Sequence, residues 1–126
     1  MSRPALRCLV VDDEPMIRRA VKRILASSHC SVFEACDGLD AVETFRRHQA
    51  EIDLVLLDLN MPRAGGEEAL RMLRELQPDL PVLLSSGYDG VELAQRLGDA
   101  RRTGFIAKPY LDTELRARIE GLLAAR

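Results

Sequence analysis

No stretch of this chain approaches the roughly 20 consecutive apolar residues that a membrane-spanning helix needs. The first apolar run, 8–11, is too short for the hydrophobic region of a secretory leader, and it ends in Asp12-Asp13-Glu14. Cysteine is scarce. Cys8, Cys30 and Cys36 are odd in number and lack CxxC spacing, which speaks against a disulfide framework or a zinc site and for a reducing cytoplasm. Each reads as a small core residue. The two histidines, His29 and His48, fall at predicted helix ends and read as solvated. No charge of one sign dominates. The 18 Lys and Arg and 20 Asp and Glu are interspersed, so no global field draws the chain to nucleic acid or to an anionic membrane. Linkers, repeats and low-complexity runs are missing too, so residues 1–126 read as one domain.

What is there suits a packed domain: 47% of residues are hydrophobic and 30% charged. A chain of this size buries about two-thirds of its unfolded surface, enough for one core. Apolar runs alternate with helical patterns. Residues 6–11 read as a buried strand, and Pro15 sits well at a first helical position. Ile17, Ala20, Val21, Ile24 and Leu25 then keep helical spacing to about residue 27. A short strand over 32–36 ends in an Asp37-Gly38 turn, and Leu39, Ala41, Val42 and Phe45 give a second helix. A third strand covers 54–58. Gly65-Gly66 leads into a helix carrying Ala69, Leu70, Leu73 and Leu76. Pro78 and Pro81 bracket the turn into a fourth strand, 82–85. Val91, Leu93, Ala94 and Leu97 suggest a fourth helix, and 105–107 a fifth strand. Asp112 is placed to N-cap a last helix holding Leu115, Ile119, Leu122 and Leu123. Five strands alternating with five helices predict a parallel sheet covered on both faces, with right-handed crossovers.

The polar residues at the strand ends coincide. The first strand ends in Asp12-Asp13, the third in Asp58, the fourth in Ser85-Ser86 and the fifth in Lys108. In an open parallel sheet these ends share one edge, the edge at which ligands bind. One polar residue after a strand is usually a solvated turn residue. Three carboxylates, a hydroxyl and an ammonium together constrain the chemistry. Packed carboxylates repel and take up protons unless a cation sits among them. With only oxygen donors nearby, the cation that fits is Mg²⁺. A metal beside a carboxylate nucleophile, a lysine and a hydroxyl donor is a phosphoryl-transfer arrangement, with Asp58 attacking in line.

Four segments in order, "VVDDEP", "LLDLNMP", "LLSSGY" and "FIAKPY", resemble the receiver domain of two-component response regulators over about residues 6–124. The resemblance implies a flavodoxin-like, three-layer, doubly wound five-stranded parallel sheet of order 2-1-3-4-5 with five helices. It implies that Asp58 accepts a phosphoryl group from a phosphohistidine on a histidine kinase or a histidine phosphotransfer protein. Asp12, Asp13, Asp58 and the backbone carbonyl of Asn60 are then the metal site, for Mg²⁺ or Mn²⁺ in its place; the Asn60 side chain is not implied as a ligand. Ser86, Gly87 and Lys108 match the phosphoryl-binding positions, and Ser86 and Phe105 the switch pair. Lys108-Pro109 matches a peptide bond that is cis in the family. Asn60 and Tyr88 match positions that tune hydrolysis of the acyl phosphate. The surface expected to change is that of the fourth helix, fifth strand and last helix, read by a downstream protein partner.

The resemblance is not uniform. Ala64 and Gly65 depart from the common pattern, so the loop over 64–66 is expected to be looser. Tyr88 is bulky at a position thought to affect water access, and Tyr110 stands where Phe is frequent. The segment 65–88 is more similar to receivers of hybrid sensor histidine kinases than to those fused to DNA-binding domains. Two other functions remain to be weighed. A Mg²⁺-dependent aspartyl phosphohydrolase of the haloacid dehalogenase-like class would want an Asp where Asn60 stands, and a cap domain. A receiver-like module that is never phosphorylated typically lacks one of the reacting groups, all of which are present here.

Overall fold

Five apolar segments form one parallel sheet in the computed structural model, which describes residues 6–61, 65–87, 92 and 102–124. The strands are β1 (Leu6–Val11), β2 (Cys30–Ala35), β3 (Leu54–Asp58), β4 (Val82–Ser86) and β5 (Thr103–Ala107), in the order β2-β1-β3-β4-β5. The described residues include four helices: α1 (Pro15–Ala26), α2 (Gly38–His48), α3 (Gly66–Leu76) and α4 (Asp112–Ala124). The helix predicted from Val91, Leu93, Ala94 and Leu97 lies outside the described residues, as do Ala64 and Tyr88.

The central strand β3 is buried along its whole length, which is why its sequence is an unbroken apolar run and not an alternating one. Side-chain alternation divides the sheet into two faces. Leu9, Val11, Val55, Leu57, Val82 and Leu84 pack with Phe45 of α2 and Leu70 and Leu73 of α3. Cys8, Val10, Leu54, Leu56, Leu83 and Ile106 pack with Val21 and Leu25 of α1 and Leu115 and Ile119 of α4. Truncating a fully buried member such as Leu57 to Ala would cost about 2–5 kcal/mol, so both faces hold β3 in place.

Local chemistry sets the helix starts. Pro15 opens α1. Asp37 caps α2 by accepting a hydrogen bond from the Asp40 N–H at 2.8 Å. The last helix corrects an expectation. Leu111, not Asp112, is its cap, because the Leu111 carbonyl accepts the first helical bond, from the Leu115 N–H at 3.0 Å. Asp112 is already helical, and its carboxylate accepts from the Thr113 N–H at 2.9 Å.

The second strand also differs from expectation. Pairing with β1 aligns Leu6 with Cys30 and Val11 with Ala35, so β2 begins earlier than predicted and stops before Cys36. The Cys36 N–H turns to the Asp40 carboxylate instead, and the residue is exposed, whereas Cys8 and Cys30 are core as expected. His29 is exposed, but His48 is half-buried: its ring stacks on Phe33 at 4.5 Å and pairs with Glu51 at 3.0 Å. At the sheet edge where β4 and β5 begin, the Arg74 guanidinium of α3 donates to the carbonyls of Leu80 and Arg102 and to the Thr103 hydroxyl.

Candidate functional site

Strand register builds the site. Val11, Leu57, Leu84 and Phe105 stand level across four strands. The next residues after Val11 and Leu57 are Asp12, just past β1, and Asp58, the last of β3, which therefore leave the sheet side by side. Ser86 lies two residues beyond Leu84 on β4, on the same face as Leu84 and Phe105. Lys108 follows β5 and is tied to the end of β4 by its N–H, which donates to the Ser86 carbonyl at 2.8 Å. The Lys108-Pro109 peptide bond is cis, as the resemblance implied.

The side chains converge. Asp12 and Asp58 are buried and Asp13 is exposed. The Lys108 ammonium donates to Asp12 Oδ2 at 2.8 Å and lies 3.3 Å from Asp58 Oδ2. Asp58 Oδ1 accepts from the Asn60 N–H at 3.0 Å, and Asp12 Oδ1 from the Glu14 N–H at 2.9 Å. The Ser86 hydroxyl, fully buried, donates to Asn60 Oδ1 at 2.9 Å, and the Gly87 N–H donates to the same oxygen at 2.9 Å. Phe105 is half-buried against the core face of α2 and α3, and its carbonyl accepts from Arg118 of α4 at 2.5 Å.

Burial pushes the Asp58 carboxyl above its usual range; the Asn60 N–H and the Lys108 charge oppose the rise, and Asp12 adds to it. Burial pulls Lys108 down, but the carboxylates of Asp12 and Asp58 outweigh it and hold the ammonium above its usual range. Burial, with the charges of Asp12 and Asp58, keeps the Tyr110 phenol strongly protonated.

The donor set suits a hard cation. Asp12, Asp13 and Asp58 each offer a carboxylate oxygen, and these oxygens lie within 4.8 Å of one another. The one ammonium present pairs with two of these three carboxylates, and all donors are oxygen, which matches Mg²⁺ better than a thiolate- or imidazole-seeking metal.

Three contacts have little or no signal in the sequence. The Asn60 side chain gathers Ser86 and Gly87, yet nothing in the order of residues separates its side chain from its backbone role. Gly66 allows α3 to abut β3: an added Cβ would lie 2.6 Å from the Asp58 carbonyl oxygen. The paired glycines were its only signal. Arg18 of α1 donates to the Asp12 carbonyl at 2.7 Å and to Glu34 at 3.1 Å, fixing the β1 end from outside. Nothing in the helical spacing marks that half-buried arginine.

An acidic pocket with a lysine and a hydroxyl, at the carboxyl edge of a 2-1-3-4-5 parallel sheet, defines a flavodoxin-like protein equipped for phosphoryl chemistry. Residues 8–120 match the response regulator receiver domain, and the chain belongs to that family, the phosphoaccepting modules of two-component signalling. It is 37% identical over 118 residues to response regulator MprA of Mycobacterium leprae, covering 94% of this chain and 51% of that protein. It is 33% identical over 115 residues to sensor kinase CckA of Brucella abortus, covering 91% of this chain and 12% of that protein. The CheX-CheY-BeF3-Mg+2 complex of Borrelia burgdorferi contains a similar fold, with a TM-score of 0.83 and 26% identity, over 93% of this chain and 88% of that one. The chain spans about half the length of the response regulator relative that it matches.

Proposed function

We propose that this chain, as one receiver domain with its core over about 6–124, accepts a phosphoryl group on Asp58. The observation that carries the reading is the Lys108 ammonium shared between Asp12 Oδ2 and Asp58 Oδ2. It sets a cation beside a buried carboxylate whose basicity burial has raised. The Asp58 carboxylate attacks phosphorus, and the P–N bond of a partner's phosphohistidine breaks. The bonding pair leaves with the imidazole nitrogen, and an acyl phosphate remains. Asp12, Asp13, Asp58 and the Asn60 carbonyl would hold Mg²⁺, which neutralises phosphoryl oxygens when bound. Lys108 pairs with the phosphoryl group, and Ser86 and the Gly87 N–H donate to it.

The acyl phosphate carries about two negative charges where the Asp58 carboxylate carried one. Ser86 moves toward them and Phe105 follows on the same sheet face. The Phe105 carbonyl is bonded to Arg118, so the change reaches the surface of β5 and α4. The donor is a histidine kinase or a histidine phosphotransfer protein, and the output is a protein contact, without direct nucleic-acid or membrane binding. The protein works in the cytoplasm; no helix among the described residues is long and apolar enough to cross a membrane. The chain assists its own phosphorylation and is not a turnover enzyme. Similarity to CckA supports the alternative setting, a receiver within a hybrid sensor kinase.

Intact mass after incubation with Mg²⁺ and acetyl phosphate tests the reading. One phosphoryl adduct is expected, abolished by EDTA and by Asp58→Ala. An unmodified mass, or labelling that survives Asp58→Ala, would overturn it.

A further inference from the structure

We propose that the Asn60 side chain is an off-state latch: it holds the Ser86 hydroxyl and the Gly87 N–H away from the position a phosphoryl group on Asp58 would occupy. The inference rests on the reading of Asp58 as phosphoacceptor and goes beyond the metal role of the Asn60 backbone. Its geometry is specific. Gly87 N–H can only donate, so the Asn60 atom facing it at 2.9 Å must be the amide oxygen. That same oxygen receives the Ser86 hydroxyl at 2.9 Å. Both groups suited to grip a phosphoryl oxygen are therefore already committed, to one neutral acceptor on the loop after β3.

To donate to a phosphoryl group, Ser86 and Gly87 must leave Asn60. The latch thus subtracts from the gain on phosphorylation and keeps the unmodified chain in its resting form. Its strength is limited. The Ser86 hydroxyl has a second acceptor, the Gly87 carbonyl at 3.1 Å, which stays available when Asn60 is removed. Asn60 is itself exposed, so solvent competes for its oxygen. A latch of this kind biases the switch without locking it. Asn60→Ala leaves the backbone carbonyl and the N–H to Asp58 in place, so the substitution addresses the side chain alone.

The test has two readouts. In metal-free protein, Gly87 amide exchange should accelerate about twofold in Asn60→Ala, as expected for loss of one neutral hydrogen bond at the weak end of its range, with solvent competing for the Asn60 oxygen. The Leu59 amide, bonded to the Ser85 carbonyl, should not change. Asn60→Asp, which keeps an acceptor oxygen, should retain the Gly87 protection. The second readout is titration with BeF₃⁻ and Mg²⁺, a phosphoryl mimic, followed by amide NMR. Asn60→Ala should bind about fivefold more tightly than the wild type. In a Ser86→Ala background the gain should shrink to about twofold, because only the Gly87 contact remains to be released. Equal Gly87 exchange in both proteins, no gain in affinity, or the same gain in both backgrounds would overturn the latch. A wild-type chain that takes up neither BeF₃⁻ nor a phosphoryl group would overturn the function on which it rests. Tight binding that ignores Asn60 would sink the latch alone.

Discussion

Gly66→Ala isolates the steric demand that places Asp58. A Cβ at Gly66 would lie 2.6 Å from the Asp58 carbonyl oxygen and 2.8 Å from Leu59 Cα, where ordinary contact begins at 3.4 Å. Both obstacles are backbone at the end of a buried strand, so neither can swing aside. Relief requires α3 to slide or the strand end to shift. Overpacking of this kind costs about 1–3 kcal/mol. The better helix propensity of alanine returns up to about 1 kcal/mol, less in a first turn. The net expectation is a loss of about 1–2 kcal/mol.

Gly121 supplies the control. It lies in α4 with nothing within 4 Å of an added Cβ, so Gly121→Ala should stabilise by about 0.5–1 kcal/mol through propensity alone. One substitution, two sites, and opposite signs are expected. Urea unfolding measures both. With a common slope of about 2 kcal/mol per molar, the midpoint should fall by about 0.5–1 M for Gly66→Ala and rise by less than that for Gly121→Ala. Acetyl phosphate labelling should slow only in Gly66→Ala, since the displaced atoms belong to Asp58 and Leu59. A Gly66→Ala protein as stable as Gly121→Ala and labelled as fast as wild type would refute the steric account.

Lys108→Met leaves two buried carboxylates without their cation and should destabilise the metal-free protein by about 3 kcal/mol at pH 7 in a urea titration. Because the folded Lys108 pKa is raised, its contribution is complete below the unfolded value of about 10.4 and is lost as pH climbs through the folded value; the two proteins should converge only in strong alkali. Asp58 has the opposite sense. Its raised folded pKa means that its charge costs stability above that pKa, a cost that disappears as pH falls. Asp58→Asn should therefore raise the thermal midpoint in EDTA at pH 7, with the gain vanishing below about pH 4. Arg74→Lys should cost about 2 kcal/mol, because one ammonium cannot replace a guanidinium bonded to the Leu80 and Arg102 carbonyls and the Thr103 hydroxyl. Labelling of Asp58, at the other edge of the sheet, should be unchanged.

The sequence of strands and helices and the residues at the shared edge are legible because each strand is a short apolar run closed by polar or turn residues; the strand order is legible only through the resemblance of the four segments to receiver domains. A run that stops on a carboxylate, as 54–58 does, points to an edge, and the alternation of elements brings those edges together. Strand limits were less legible. The neighbours of Cys36 suit both a strand and the core, but register against β1 decides the end, and the Asp40 carboxylate then claims its N–H. The cap of α4 differs from expectation by one residue for a related reason: Asp112 has the side chain of a cap, while Leu111 has the carbonyl in position. A helix end is usually wet, so the sequence points to a solvated His48; no local pattern announces its stacking partner, Phe33, on another element. The Asn60 side chain and Gly66 act through local close approaches between loop, strand and helix, and such contacts leave no periodic trace.

The charge balance at the edge bears on reactivity as well as on stability. A buried carboxylate gripped tightly by an ammonium is a poor nucleophile, because the same pairing that stabilises it lowers its basicity. Here the ammonium is shared unequally. Lys108 lies nearer Asp12, at 2.8 Å, than Asp58, at 3.3 Å. Asp12 also has the Glu14 N–H, and its backbone carbonyl is held by Arg18. Asp58 keeps one N–H and the longer contact, and burial leaves it more basic than an ordinary aspartate. On the proposed function this asymmetry separates two tasks: Asp12 anchors the lysine in the resting chain, and Asp58 retains its reactivity. When phosphorylation turns Asp58 into a stronger anion, Lys108 is already within reach and has only a short distance to travel. Moving the lysine wholly onto Asp58 would gain resting stability and lose the nucleophile.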